Sequence, residues 1–195
     1  MQQQAVSWNK IDSSGTEHFS LAREGGLFRG YGKVTYEEGN VLFYVNYAVE
    51  LDSNWRTRNV KIAASGAGEL EILSDGEGRW FRPDGKEIGE LNGAIDVDLS
   101  VTPFTNSLPI NRNEWEPGQK RNFEMVYVDV PQLRLFKVSQ TYTFLEQIDS
   151  TRTFAYQCRD FESLIYVDTE GFVLEYPDLF IRKSDIPAGE FDRIR

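Results

Sequence analysis

Apolar and polar residues alternate with a period of two along most of this chain of 195 residues. Such alternation is typical of strands with one buried face, because successive side chains of a strand point to opposite sides of the sheet. The pattern predicts strands at residues 41–50, 69–73, 95–100, 123–130, 134–145, 153–158 and 163–168. Turn sequences such as Glu38-Gly39-Asn40 and Ser74-Asp75-Gly76 separate these runs.

Helical periodicity is nearly absent from the sequence. No window of eleven or more residues combines a 3.6-residue apolar period with capping residues. The best candidate is a helical turn or two within residues 103–113, where Pro109 limits the length. The pattern therefore predicts an all-β fold with few short helical turns. Such a fold is a barrel, a roll or a sandwich, and we predict a β roll or half-barrel. The length fits a single domain over residues 1–195, which would bury about 70% of the surface of the unfolded chain.

Two parts of the chain resemble each other at a distance of 93 residues. The sequences ELEILSDGEG at 69–78 and ESLIYVDTEG at 162–171 both place Asp-x-Glu-Gly after an alternating run. Residues 52–58 and 149–153 lie at a similar offset upstream of them. A duplication of this kind predicts two similar halves related by a pseudo-twofold axis. Asp-x-x-Gly turns are common in β proteins, which is the alternative explanation.

Composition and charge exclude several classes of function. The 13% aromatic content suits strands, a packed core and the wall of an apolar pocket. The net charge of −10, without a cluster of Lys and Arg, argues against binding to nucleic acid or to an anionic membrane. The sequence contains no apolar run of 18 residues, so we expect no stable membrane insertion. No secretory signal is recognisable either, and we therefore expect a cytoplasmic protein.

Metal and cofactor chemistry also have little support in the sequence. Cys158 is the only cysteine and His18 the only histidine, so neither a disulfide nor a Cys- or His-based metal cluster is expected. Phosphate-loop, dinucleotide-binding and Gly-x-Ser-x-Gly motifs are missing. We therefore predict no cofactor, no metal and no catalytic residue, while a homo-oligomer remains possible.

Four charged residues are the first candidate site. Arg56 and Arg58 are two residues apart and share a strand face, as do Asp96 and Asp98. If these strands face one interior, the charges must pair, and Arg56 or Arg58 should contact Asp96 or Asp98. The pairs would then either brace the fold or form a polar floor that grips a ligand headgroup.

Polar side chains near the centre of the chain extend this candidate. Thr105 and Asn106 lie between Pro103 and Pro109, and Gln140 and Tyr142 share a strand face. Hydroxyl and amide groups of this kind suit carbohydrate hydroxyls, but they also brace turns locally. A glycosidase-like pair of carboxylates, Asp96 with Asp98 or Asp129, is a further interpretation, although such pairs are more often structural.

Motifs along nearly the whole chain resemble the putative glycolipid-binding family, whose members are mostly bacterial. The resemblance is carried by Trp8, Gly15-Thr16-Glu17, Trp55-Arg56-Thr57-Arg58, Gly78-Arg79-Trp80, the segment DVDLSVTPFTNSLPI at 96–110, Gln140 with Tyr142, Asp168 with Gly171, and Tyr176-Pro177-Asp178-Leu179-Phe180. It implies a fold like that of lipid carriers. Where the family tends to have paired arginines after Leu-Pro-Ile, this chain has Asn111-Arg112-Asn113, so Arg112 alone remains for any anion contact.

Together these observations favour a non-catalytic protein that binds a lipid or glycolipid. The predicted site is an apolar cavity with a polar mouth lined by arginine and aspartate. The ligand-binding candidates are Arg56, Arg58, Asp96, Asp98, Thr105, Asn106, Arg112, Gln140 and Tyr142. Two alternatives stay open, an enzyme acting on small carbohydrate- or phosphate-bearing substrates and a homo-oligomeric scaffold without a ligand.

Overall fold

The computed structural model describes residues 2–183, which form an almost entirely β structure. The first half of the chain contains β1 (Gln2–Lys10), β2 (Gly15–Glu24), β3 (Leu27–Glu38), β4 (Val41–Leu51), β5 (Thr57–Ala64), β6 (Gly68–Ser74) and β7 (Trp80–Phe81). The second half contains β8 (Asp96–Leu99), β9 (Lys120–Asp129), β10 (Arg134–Ile148), β11 (Thr151–Cys158), β12 (Phe161–Val167), β13 (Val173–Tyr176) and β14 (Phe180–Arg182). A 3₁₀ turn at Phe104–Asn106 leads into helix α1 at Ser107–Asn111, inside the segment predicted to hold a helical turn.

All fourteen strands of residues 2–183 belong to one sheet, in the order β7-β6-β5-β4-β3-β2-β1-β14-β13-β12-β11-β10-β9-β8. Neighbouring strands are antiparallel except for β8 and β9, which are parallel. No ladder between β7 and β8 joins the two edges within residues 2–183, so the predicted barrel is not closed. A single open sheet of this kind agrees with the predicted β roll or half-barrel. The amide of Val97 on β8 still donates a 3.2 Å hydrogen bond to Thr57 Oγ1 on β5, which brings the two halves together.

The strands β4 to β6 and β10 to β12 resemble one another in order and in burial. Each set of three occupies consecutive positions in the sheet. The burial patterns of β6 and β12 are identical, and those of β4 and of the first eleven residues of β10 differ at only two positions. Asp75 after β6 and Asp168 after β12 also form the same turn, in which Oδ1 accepts the amides two and four residues later. These shared features support the internal resemblance seen in the sequence.

An aromatic core joins the sheet to the segment that follows β8. Residues 101–110 are all buried. The ring of Phe104 stacks on that of Phe19 with centroids 4.1 Å apart. Gly30 on β3 permits this contact, since a Cβ at that position would lie 3.0 Å from the Phe19 ring and 3.1 Å from the Phe104 ring. Within residues 2–183, no helix has the length and apolar character needed to cross a bilayer.

Candidate functional site

Asp98 on β8 is the centre of a buried polar network. Its carboxylate accepts a 3.1 Å hydrogen bond from Thr105 Oγ1 and another from Gln140 Nε2 on β10. Gln140 Oε1 in turn accepts the hydroxyl of Tyr142 at 3.2 Å, and that hydroxyl accepts Asn106 Nδ2 at 2.9 Å. The hydrogen bonds therefore run in one direction, from Asn106 through Tyr142 and Gln140 to the carboxylate of Asp98.

Local geometry explains how Thr105 reaches this network. The chain turns back after β8, and the amide of Leu99 donates a 3.2 Å hydrogen bond to Thr105 Oγ1. The same hydroxyl donates to Asp98, so Thr105 both closes the turn and fixes the carboxylate. Burial raises the pKa of Asp98, while the hydrogen bonds from Gln140 and Thr105 act against this rise because they stabilise the charged form.

A cleft of about 550 Å³ opens above Asp98. Its lining comes from all seven strands of the second half, and Asp98, Thr102 and Asn106 form part of its floor. The walls are aromatic and comprise Tyr127, Phe136, Tyr156, Phe161, Tyr176 and Phe180. Tyr156 and Tyr176 are buried, whereas Phe136 and Phe161 are 41% and 44% exposed and lie nearer the rim. The cleft thus combines an apolar wall with a small polar floor.

Two arginines, Arg134 and Arg159, contribute to the lining at its exposed side. Arg134 forms an ion pair with Asp129, which lines the same cleft. These three charged groups come from the β9–β10 and β11–β12 hairpins, and none of them was among the predicted ligand-binding residues. Of the two predicted aspartates, Asp98 lines the cleft and Asp96 does not.

The predicted ion pairs of Arg56 and Arg58 with the two aspartates are wrong. Arg56 pairs with Glu77, and Arg58 is exposed and donates a 3.2 Å hydrogen bond to the carbonyl of Ser74. Thr57 is the residue of this stretch that faces the interior, so the arginines on either side of it face outward. Arg56 is near enough to lower the pKa of Asp96, but it makes no ion pair with it.

Asp96 instead pairs with Arg112, just after helix α1. Arg112 Nη2 lies 2.6 Å from Asp96 Oδ2, and its Nε lies 3.3 Å from both carboxylate oxygens. The Asp96 side chain is completely buried and that of Arg112 is 16% exposed. Burial raises the pKa of Asp96, and the positive charge of Arg112 opposes that rise. Arg112 thus neutralises a buried carboxylate, and neither residue lines the cleft.

A second buried acid, Glu17 on β2, was not among the predicted site residues. Its Oε1 accepts hydrogen bonds from Tyr47 and, at 2.8 Å, from Thr102 Oγ1, whereas Oε2 has no partner within residues 2–183. Burial raises the pKa of Glu17 to about 8, although both hydroxyls act to lower it. The sequence could have indicated that Glu17 is buried, because on a strand it shares a face with the apolar residues Phe19 and Leu21.

The sequence candidates thus divide into three groups. Asp98 and Asn106 line the cleft, and Thr105, Gln140 and Tyr142 support them from behind. Asp96 and Arg112 form a separate buried pair, and Arg56 and Arg58 lie elsewhere. Sequence reasoning missed the aromatic wall, since the pattern shows which residues are buried but not which of them surround a space. In the described part of the chain no group of three His, Cys, Asp or Glu residues could hold a metal ion.

Comparison with known proteins agrees with this architecture. A DUF1089 family protein from Pseudomonas aeruginosa, known from its crystal structure, superimposes with a TM-score of 0.72 at 26% sequence identity. The match covers 86% of this chain and 92% of that protein. None of the curated proteins matches the chain. The family model described as putative glycolipid-binding matches residues 5–182, and the chain belongs to that family.

Proposed function

We propose that this protein binds an amphipathic small molecule, a lipid or glycolipid, in the cleft above Asp98. The observation that carries the proposal is the cleft itself, which has aromatic walls over a floor of fixed polar groups. Its volume of about 550 Å³ falls within the range of roughly 300–1,000 Å³ that is usual for small-molecule sites. The family description supports a lipid-like ligand.

The two parts of the cleft suit the two parts of such a ligand. Burial of an alkyl chain against the aromatic walls contributes about 0.8 kcal/mol for each CH₂ group. Sugar hydroxyls or another polar headgroup find donors and acceptors at Asp98, Thr102 and Asn106. Because the network behind Asp98 and Asn106 is already hydrogen-bonded, these groups need little reorganisation to receive a ligand.

The enzyme alternative would use Asp98 together with Asp129, which lines the same cleft. A carboxyl group with a raised pKa is typical of a general acid. Asp129, however, is already engaged by two hydrogen bonds from Arg134. This favours binding over catalysis. Release of free sugar from an alkyl glycoside, abolished by Asp98→Asn, would instead support the enzyme.

The binding function can be tested by blocking the cleft. Val138 and Ser139 are neighbours on β10, but Val138 lines the cleft whereas Ser139 is exposed on the opposite face. Calorimetric titration with octyl glucoside below its micelle-forming concentration should show binding to the wild type and to Ser139→Trp. Val138→Trp should bind at least 10-fold more weakly. Unchanged binding by a folded Val138→Trp protein would place the ligand elsewhere.

A further inference from the structure

We propose that the headgroup received at the floor of the cleft is a cation, an alkylammonium or a quaternary ammonium group, held against Asp98. The inference rests on the proposed function, because it names the class of ligand that the same cleft would take. It differs from the sequence expectation that Arg56 and Arg58 help to grip the headgroup. Three features of the cleft carry it.

The first feature is the contrast between the two aspartates of β8. Both are buried, but Asp96 has Arg112 as its counter-ion, whereas no ion pair in the described part of the chain includes Asp98. The hydrogen-bond partners of Asp98, Thr105 and Gln140, are neutral. A buried carboxylate without a cation is costly for the protein, and a cationic ligand would supply the missing charge.

The second feature is a set of three tyrosines that line the cleft together with this carboxylate. Tyr127, Tyr156 and Tyr176 come from three different strands, and the charge of Asp98 contributes to the raised pKa of each phenol. All three side chains line the cleft. Aromatic faces attract a cation through their quadrupole, and cages of several such rings recognise quaternary ammonium groups. A carboxylate at the base of such a cage adds a full charge to this attraction.

The third feature is the distribution of charge from floor to rim. Arg134, which is paired with Asp129, and Arg159 lie at the exposed side of the cleft, whereas Asp98 lies at its base. An anionic headgroup placed at the base would meet a carboxylate and no cation. The arrangement therefore orients a ligand with its positive end inward and leaves any negative group near the rim arginines.

Ionisation of Asp98 should control this binding, because only the carboxylate attracts a cation. The groups that face Asp98 are Tyr142 on β10, Tyr127 on β9, Tyr156 and Cys158 on β11 and Tyr176 on β13. The pKa of each is raised above its ordinary value, so none of them gains charge between pH 5 and 8. Asp129, Arg134 and Arg159 complete the charged groups of the lining. Glu17, with a pKa of about 8, contacts the lining residue Thr102 from behind, so a pH effect that comes from Asp98 must disappear in Asp98→Asn.

The test compares three amphiphiles that share an octyl chain: octyltrimethylammonium, octyl glucoside and octyl sulfate, each below its micelle-forming concentration. Calorimetry on the wild type at pH 8 should show octyltrimethylammonium binding at least 10-fold more tightly than the other two. Its affinity should fall as the pH is lowered and Asp98 takes up a proton, while that of octyl glucoside changes less. Since octyltrimethylammonium carries a permanent charge, this change reports on the protein.

Asp98→Asn should lower the affinity for octyltrimethylammonium at least 10-fold and that for octyl glucoside less than threefold, because a neutral amide still hydrogen-bonds sugar hydroxyls but attracts no cation. Asp129→Asn, which removes a charge from the rim, is the matched control and should change the affinity less than threefold. Equal affinities of the wild type for all three amphiphiles, or a preference for octyl sulfate, would overturn the cation site while leaving the proposed function intact. Failure of all three to bind would overturn both. If Asp98→Asn does not fold, the relative affinities of the wild type for the three amphiphiles still test the cation site.

Discussion

Thr102 donates a 2.8 Å hydrogen bond to Glu17 across 85 residues of sequence. This contact ties β2, in the first half of the sheet, to the buried segment that follows β8. Thr102 also lines the cleft and accepts the amide of Phe104 at 3.0 Å. The floor of the candidate site is therefore held in place by an acid from the other half of the molecule, and the protonation of Glu17 bears on its stability.

The first prediction concerns Glu17 and pH. Its pKa is about 8 in the folded protein against an ordinary value of 4.5, so between these pH values the folded state holds one proton that the unfolded state has lost. Stability should then fall as pH rises, by about 1.4 kcal/mol per pH unit for this group. Glu17→Gln should flatten this fall in urea denaturation between pH 5 and 8. The exposed Glu37→Gln serves as the control and should reproduce the wild-type slope. A Glu17→Gln protein with that same slope would show that Glu17 is ionised in the folded state.

The second prediction concerns the buried pair of Asp96 and Arg112. Arg112→Ala leaves a carboxylate without its counter-ion in the interior and should lower the free energy of unfolding by about 3–5 kcal/mol at pH 7. The loss should shrink as the pH is lowered, because a protonated Asp96 needs no counter-ion. Arg56→Ala removes only an exposed ion pair with Glu77 and should cost less than about 1 kcal/mol. Similar costs for the two variants would contradict the assignment.

The third prediction concerns the buried hydrogen bond between Asn106 and Tyr142. Asn106→Ala and Tyr142→Phe each remove the 2.9 Å hydrogen bond between the two side chains. Each should destabilise the protein by about 1–3 kcal/mol, since buried partners lose a hydrogen bond. The double variant should cost less than the sum of the two, with a coupling of about 1 kcal/mol in a denaturation cycle. Strict additivity would mean that this bond contributes nothing to stability.

The fourth prediction tests the close packing of β3 against β4. A Cβ at Gly32 would lie 2.0 Å from Cε1 of Tyr47, whose hydroxyl binds Glu17. Gly32→Ala should therefore displace this ring and destabilise the protein by about 1–3 kcal/mol or more. Gly89→Ala places its methyl group in open space and should leave the melting temperature nearly unchanged. A neutral Gly32→Ala would show that Tyr47 can move without loss.

Local patterns in the sequence were sufficient for the fold class and for several strands. Alternation is a property of neighbouring residues, so it identified β4, β6 and β8 through β12. The helical turn predicted within residues 103–113 is also present. The pattern missed β1, β2, β3, β5, β7, β13 and β14. In β3, Gly30 and Gly32 replace the expected large side chains because Phe19, Phe104 and Tyr47 occupy their space. That reason is visible only when the neighbouring strands are present.

The partners of the site residues were decided by the tertiary structure. Alternation shows that Asp96 and Asp98 share a buried face, but it does not say which residues lie opposite them. The chain brings Arg112 to Asp96 over 16 residues, through helix α1, and Gln140 to Asp98 over 42 residues. The two aspartates lie on the same strand and are similarly buried. The segment after β8 folds so that Arg112 neutralises Asp96, while Asp98 lines the cleft. Burial and charge can thus be read from sequence, whereas pairing depends on which strands the sheet and its return segment bring together.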